Sequence, residues 1–111
     1  MTPNKAIEII DRLRPNSYSD EDKLRWINEL DGMVQRLVFQ SDTIKQYSYP
    51  EDLETELLIT APYDDCYTLF LEAKIDYYNR EYSNYNNTAV VFESHFNEYK
   101  KDYIRHNRVR G

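Results

Sequence analysis

Two glycines among 111 residues, Gly32 and Gly111, constrain this chain more than any other feature of its sequence. Tight β-turns rely on glycine for positive φ, so a chain this poor in it has few places to reverse sharply and favours long helices over a sandwich or barrel. At this length one domain with one core is expected, with roughly 65% of the extended-chain surface buried on folding. The lone cysteine, Cys66, permits no internal disulfide, and no CxxC or HxxxH pair offers a zinc framework, so stability must come from packing. No apolar run approaches the ~18 residues of a membrane span, and Met1-Thr2-Pro3-Asn4-Lys5 lacks the apolar stretch of a signal peptide. No membrane association and a cytoplasmic location are expected.

Capping residues and apolar spacing predict four helices. Thr2-Pro3 is a good start, Ala6, Ile7, Ile9, Ile10 and Leu13 give an apolar face, and Pro15 closes a first helix over about 3–13. Ser19 followed by Asp20, Glu21 and Asp22 opens a second, because the hydroxyl caps free N–H groups and the helix dipole favours acids in the first turn. Leu24, Ile27, Leu30, Val34, Leu37 and Val38 keep one stripe from about 20 to 40, with Trp26 and Met33 off its centre, where they either widen the core or face a partner. Period is lost from Ser41 to Ala61. This stretch reads as an irregular segment with room for a small hairpin within 44–61. Pro62 with Asp64 and Asp65 starts a third helix over about 63–82, on which Cys66, Leu69, Phe70, Ala73 and Tyr77 share a stripe. After a polar link at 83–88, Ala89, Phe92, Phe96, Tyr99 and Tyr103 define a fourth over about 88–105. Helices three and four should form an antiparallel hairpin against helix two. The fold expected is thus an all-α single domain over 1–111, a bundle of about four helices ending in a flexible basic tail at 105–111.

Charge is unevenly spread. Residues 1–97 carry 18 acids against 9 bases, whereas 98–111 carry 2 acids against 5 bases. An acidic body disfavours wrapping nucleic acid, since phosphate binding depends on Lys and Arg, although it suits a path along which DNA slides without sticking. Catalytic chemistry finds little support. His95 and His106 have no His or Cys at ligand spacing, and Cys66 lies on an apolar stripe without the base or cationic setting that a nucleophilic thiol needs. Glu72 and Asp76, four apart, could meet on a helix surface and hold Mg²⁺, but no second acid-bearing motif joins them and a solvated face is the ordinary meaning. No enzyme activity, metal or cofactor is expected. The tyrosines are the distinctive feature: eight of eleven lie between Tyr63 and Tyr103, too many for one core. Tyrosine suits surfaces that are apolar in body and polar at the tip, as at protein interfaces, and equally the boundary of a helical hairpin.

Two stretches, Asp22-Lys23-Leu24-Arg25-Trp26-Ile27-Asn28-Glu29-Leu30-Asp31-Gly32 and Pro62-Tyr63-Asp64-Asp65 continuing through Lys74-Ile75-Asp76-Tyr77-Tyr78-Asn79-Arg80-Glu81-Tyr82-Ser83-Asn84-Tyr85-Asn86-Asn87, resemble small proteins of tailed-phage and prophage structural modules in Gram-positive bacteria. The resemblance is to head-tail connector proteins, also called adaptor or head-completion proteins. It implies a structural role: about twelve copies in a ring beneath the portal, extending the DNA channel and joining the capsid to a tail or stopper protein, with unlike lateral surfaces closing the cycle. It also implies a location at the head-tail interface of the virion, with host cytoplasm during assembly. Charge and spacing then suggest three surfaces. Trp26, Met33, Tyr78, Tyr82 and Tyr85 are the candidate subunit or partner interface, Asp64, Asp65, Glu72 and Asp76 the candidate acidic channel face, and Arg105, Arg108 and Arg110 the candidate portal attachment. A small regulatory or anti-defence protein-binding module of phage or prophage origin is the alternative.

Overall fold

The computed structural model describes residues 1–108, with the backbone alone at Arg108. It is all-helical, 65% helix without strands among the described residues, and contains four α-helices. They are α1 (Pro3–Leu13), α2 (Asp20–Met33), α3 (Asp65–Tyr78) and α4 (Tyr82–Arg108). The Thr2 hydroxyl accepts from Lys5 N–H and the Ser19 hydroxyl from Asp22 N–H, so both capping residues expected from sequence act as caps.

Helix α2 does not run regularly to residue 40. It widens into a π-helical turn at Val34–Val38, where Phe39 N–H donates to Val34 C=O, and Gln40 in the left-handed region ends it. The wider turn holds Val34 and Val38 inward and leaves Leu37 exposed, although Leu37 belongs to the apolar stripe in the sequence.

No hairpin forms within 44–61. The backbone of this segment pairs instead with side chains of α2 and the π turn. Gln35 exchanges two hydrogen bonds with the amide and carbonyl of Lys45, at 2.8 and 2.9 Å, and Asn28 does the same with Tyr47, at 2.8 and 3.1 Å. Two side-chain amides, seven residues apart on one helix face, thus do what a partner strand would do. Further on, Leu57 and Ile59 enter the core, and Leu57 N–H donates to Met1 C=O.

The hairpin of α3 and α4 is present, but its link is Asn79–Glu81 and not the polar run at 83–88. Arg80 N–H donates to Tyr77 C=O and Glu81 N–H to Asp76 C=O, with Arg80 at φ 61°, so a Schellman closure is made by an arginine where glycine is usual. Residues 83–88 fall inside α4, where the Thr88 hydroxyl oxygen lies 3.1 Å from the Asn84 carbonyl and 3.2 Å from that of Tyr85. At the other end, α4 continues through 105–108, so this part of the expected flexible tail is helical; residues 109–111 lie outside the described residues.

Helix α3 is the centre of the fold, packed by α4 on one side and by α1 and α2 on the other. That explains why its burial departs from the one-sided stripe in the sequence: Cys66, Tyr67, Leu71, Ala73 and Ile75 are buried together, while Tyr77 is exposed. Around it lie Ala6, Ile7 and Ile10 of α1, Leu24, Trp26, Ile27 and Leu30 of α2, and Phe92, Phe96 and Tyr99 of α4. Among the described residues no helix is long and apolar enough to cross a membrane.

Candidate functional site

The Schellman turn at Arg80 brings the end of α3 against the start of α4, and their tyrosines meet there. The Tyr77 ring lies 5.2 Å from Tyr78, 6.2 Å from Tyr82 and 5.4 Å from Tyr85. Tyr77, Tyr78 and Tyr82 are each about half exposed, and Val90 and Val91 add apolar surface on α4. Beside this cluster a groove of about 580 Å³ runs between the end of α2, α3 and the first half of α4. Met33, Phe70 and Phe92 line it with large apolar side chains, the small Ala73 and Ala89 leave it room, and Tyr77, Tyr78 and Tyr85 add aromatic rings. Its polar edge is Lys74, which pairs with Glu29 at 2.6 Å and lies over the Phe70 ring, and Glu93.

A salt-bridged clasp holds the hairpin end in place. Arg14, the residue after α1, donates to Asp76 and Glu72 of α3 and to Glu81 in the turn, and Thr88 of α4 donates to the other Asp76 oxygen at 3.2 Å. Asp76 is 0% exposed, so these donors replace its hydration. The hydrogen bond to Asp76, followed by the nearby carboxylates, raises the pKa of Arg14 above its ordinary value. Below the groove, Tyr18 packs edge-on to Trp26 and Trp26 stacks on Tyr78 at 5.5 Å, while Tyr18 donates to Asn79 at 2.7 Å.

These contacts redistribute the candidate residues. Met33, Tyr78 and Tyr85 do line one groove, and Tyr82 flanks it. Trp26 is 1% exposed and cannot present its ring to a partner; its place off the stripe's centre widens the core beneath Tyr78. The four acids do not form a solvated channel face. Asp76 is sealed, Glu72 is tied to Arg14, and Asp65 faces His95 at 2.9 Å three turns away at the start of α3, next to half-buried Asp64. Arg105 is exposed on the last turns of α4; the Arg108 side chain and Arg110 lie outside the described residues.

A second polar cluster is internal. Asp31, 1% exposed, accepts from the hydroxyls of Tyr47 at 2.5 Å and Tyr67 at 2.6 Å and from Leu58 N–H at 3.3 Å, and the Tyr67 oxygen accepts from Ile59 N–H at 2.7 Å. Burial raises the Asp31 carboxyl and outweighs the lowering effect of the two tyrosine hydrogen bonds. Burial likewise raises Tyr67 and Tyr47, each further raised by Asp31. Being closed to solvent, this cluster fastens the 44–61 segment to the core. Cys66 is inert by the same logic, its thiol pushed up to about 12 by burial and by Asp65 and Asp64. Among the described residues no three His, Cys, Asp or Glu side chains converge as a metal site requires.

Sequence reasoning missed Phe70, Lys74, Ala73, Tyr77, Ala89, Phe92 and Glu93 in the groove and Arg14 in the clasp. The spacing of 70, 74 and 77 on α3 was a usable signal for the first two; the clasp spans 62 residues and left none. No protein-family model, curated protein or solved structure matches the chain.

Proposed function

We propose that this chain is a structural assembly protein that binds other proteins through its aromatic groove, and that it serves as a subunit of a phage head-tail connector ring. The observation that carries the reading is the groove itself: exposed tyrosines and apolar walls on a hairpin end fixed by the Arg14 clasp. Tyrosine is a strong interface residue because it buries a large ring at low entropic cost and keeps a polar tip. The phage assignment is supported by the two stretches that resemble connector proteins, and with it come the portal protein and a tail or stopper protein as partners and about twelve copies in the assembled ring. In that ring DNA passes without sequence-specific binding. The carboxylates suited to line its path are the exposed Asp20 and Glu21 at the start of α2 and Glu51, Glu54 and Glu56 in the loop, because Asp76 is sealed.

Quantitative proteomics of purified particles, with and without tails, tests this directly. Recovery of the chain in both, at a ratio near that of the portal protein, is the expected outcome. Absence from particles, together with a soluble complex with a host protein, would replace the connector by a regulatory or anti-defence module using the same groove.

A further inference from the structure

Helix α4 carries unlike surfaces at its two ends. Its first turns wall the groove with Tyr85, Ala89 and Glu93. Its last turns expose Ile104, 47% accessible, together with Lys101 and Arg105 at the spacing that places residues on one helix face. Ile104 is thus a single exposed apolar anchor flanked by cations, and a pocket with apolar walls and an acidic rim complements it.

The groove offers what that face needs. Met33, Phe70 and Phe92 supply apolar walls, the tyrosine rings supply π faces that attract Lys and Arg, and Glu93 supplies a carboxylate at the edge, while the positive charge of Lys74 is balanced by Glu29. The excess of acids in residues 1–97 and of bases in 98–111 brings the two together over a longer range. We propose that the Ile104 face of α4 docks in the aromatic groove of a second copy of this chain. One copy cannot satisfy itself, because Ala89 and Ile104 lie on one unbroken helix about 22 Å apart. Since the surface given differs from the surface received, each contact leaves a free groove at one end and a free anchor at the other. Repeated in one sense such contacts propagate into rings or filaments, whereas a reciprocal pair across a two-fold would stop at a dimer, so growth beyond a dimer separates the two arrangements. The inference rests on the groove being the binding surface of the proposed function, and it names the occupant.

Sedimentation velocity of the full chain from about 10 μM to about 1 mM tests it. The wild-type mass should rise with concentration beyond a dimer and fall with added salt. Ala89→Arg, which fills and repels in the groove, and Ile104→Glu, which removes the anchor, should each be monomeric with unchanged helical melting. Mixed in equal amounts they should form a one-to-one dimer that grows no further, because the intact anchor of the first fits the intact groove of the second. If Ala89→Arg unfolds, Glu93→Lys on the exposed rim takes its place and should weaken association several-fold. A wild-type chain that stays monomeric overturns the inference, as do variants that assemble like wild type or a mixture that stays monomeric. A monomeric chain still found in purified particles would leave the proposed function standing without this contact.

Discussion

Tyr67→Phe removes one oxygen from the centre of the molecule, and the structure fixes what that should cost. Tyr67 is 0% exposed, and its hydroxyl both donates to Asp31 at 2.6 Å and accepts from Ile59 N–H at 2.7 Å. Ile59 is also fully buried, so its N–H is left without a partner, which costs about 1–3 kcal/mol. The carboxylate loses one of three donors, and a hydrogen bond to a charged group contributes about 1.5–3 kcal/mol. Little cavity forms, since the ring stays. The sum is about 2.5–6 kcal/mol, a large share of the 5–15 kcal/mol typical of a domain. Urea unfolding followed by circular dichroism at neutral pH should show this loss with an unchanged slope against denaturant. The loss should shrink near pH 4, where a protonated Asp31 depends less on the donor. A decrease under about 1 kcal/mol at neutral pH would refute the argument that this hydroxyl is a buried fastening of the 44–61 segment.

Gly32→Ala should stabilise the fold by about 0.5–1 kcal/mol, because Gly32 is inside α2 and an added Cβ meets Ile44 Cγ2 at an ordinary 3.8 Å; thermal melting measures it. Arg14→Met should destabilise by about 3 kcal/mol by leaving buried Asp76 without its cation, and Asp76→Asn added to that variant should recover part of the loss in chemical denaturation. The Asp31 carboxyl is raised in the native state, so the folded chain keeps this proton at a pH where the unfolded chain has lost it. Its contribution is full below the ordinary value of 3.8 and is lost as pH rises through the native value. The stability of wild type relative to Asp31→Asn should therefore be greater at pH 4 than at pH 7, and a difference independent of pH would show that Asp31 titrates normally.

What the sequence revealed divides along a physical line. Local signals were legible: the caps at Thr2 and Ser19, the stripe through Leu24, Ile27 and Leu30, and the aromatic run Phe92, Phe96, Tyr99 all depend on neighbours within a few residues. The hairpin link was not, because polar residues at 83–88 carry more turn propensity than Arg80, and only the packing of α4 along α3 places the left-handed residue there. The hairpin sought within 44–61 failed for a similar reason. Its backbone hydrogen bonds go to Asn28 and Gln35, and no strand propensity within the segment reports amides on a distant helix. At the candidate site, tyrosine density pointed to the hairpin on which the rings cluster, but whether each ring faces solvent was decided by tertiary contacts. Trp26 and Tyr78, both plausible surface residues in the sequence, end up stacked, with one buried and one half exposed.

The Arg14 clasp fixes the hairpin end that carries the groove. An exposed cluster of aromatic rings on a mobile hairpin would have to be ordered at each binding event, at about 0.5–1.5 kcal/mol for every side chain immobilised. Here α1 reaches across α3 to the turn, Thr88 ties α4 to the same buried carboxylate, and Tyr18 braces Asn79 from below, so the backbone bearing Tyr77, Tyr78 and Tyr85 is held from three directions before a partner arrives. The rings also pack on one another, which restricts their rotamers without covering their outer faces. Binding then draws on surface that is already arranged, and affinity should depend on the clasp without contact to it. In the proposed function Arg14 is therefore a positioning residue, because loosening the hairpin end would restore the ordering cost that its hydrogen bonds to Asp76 and Glu81 remove.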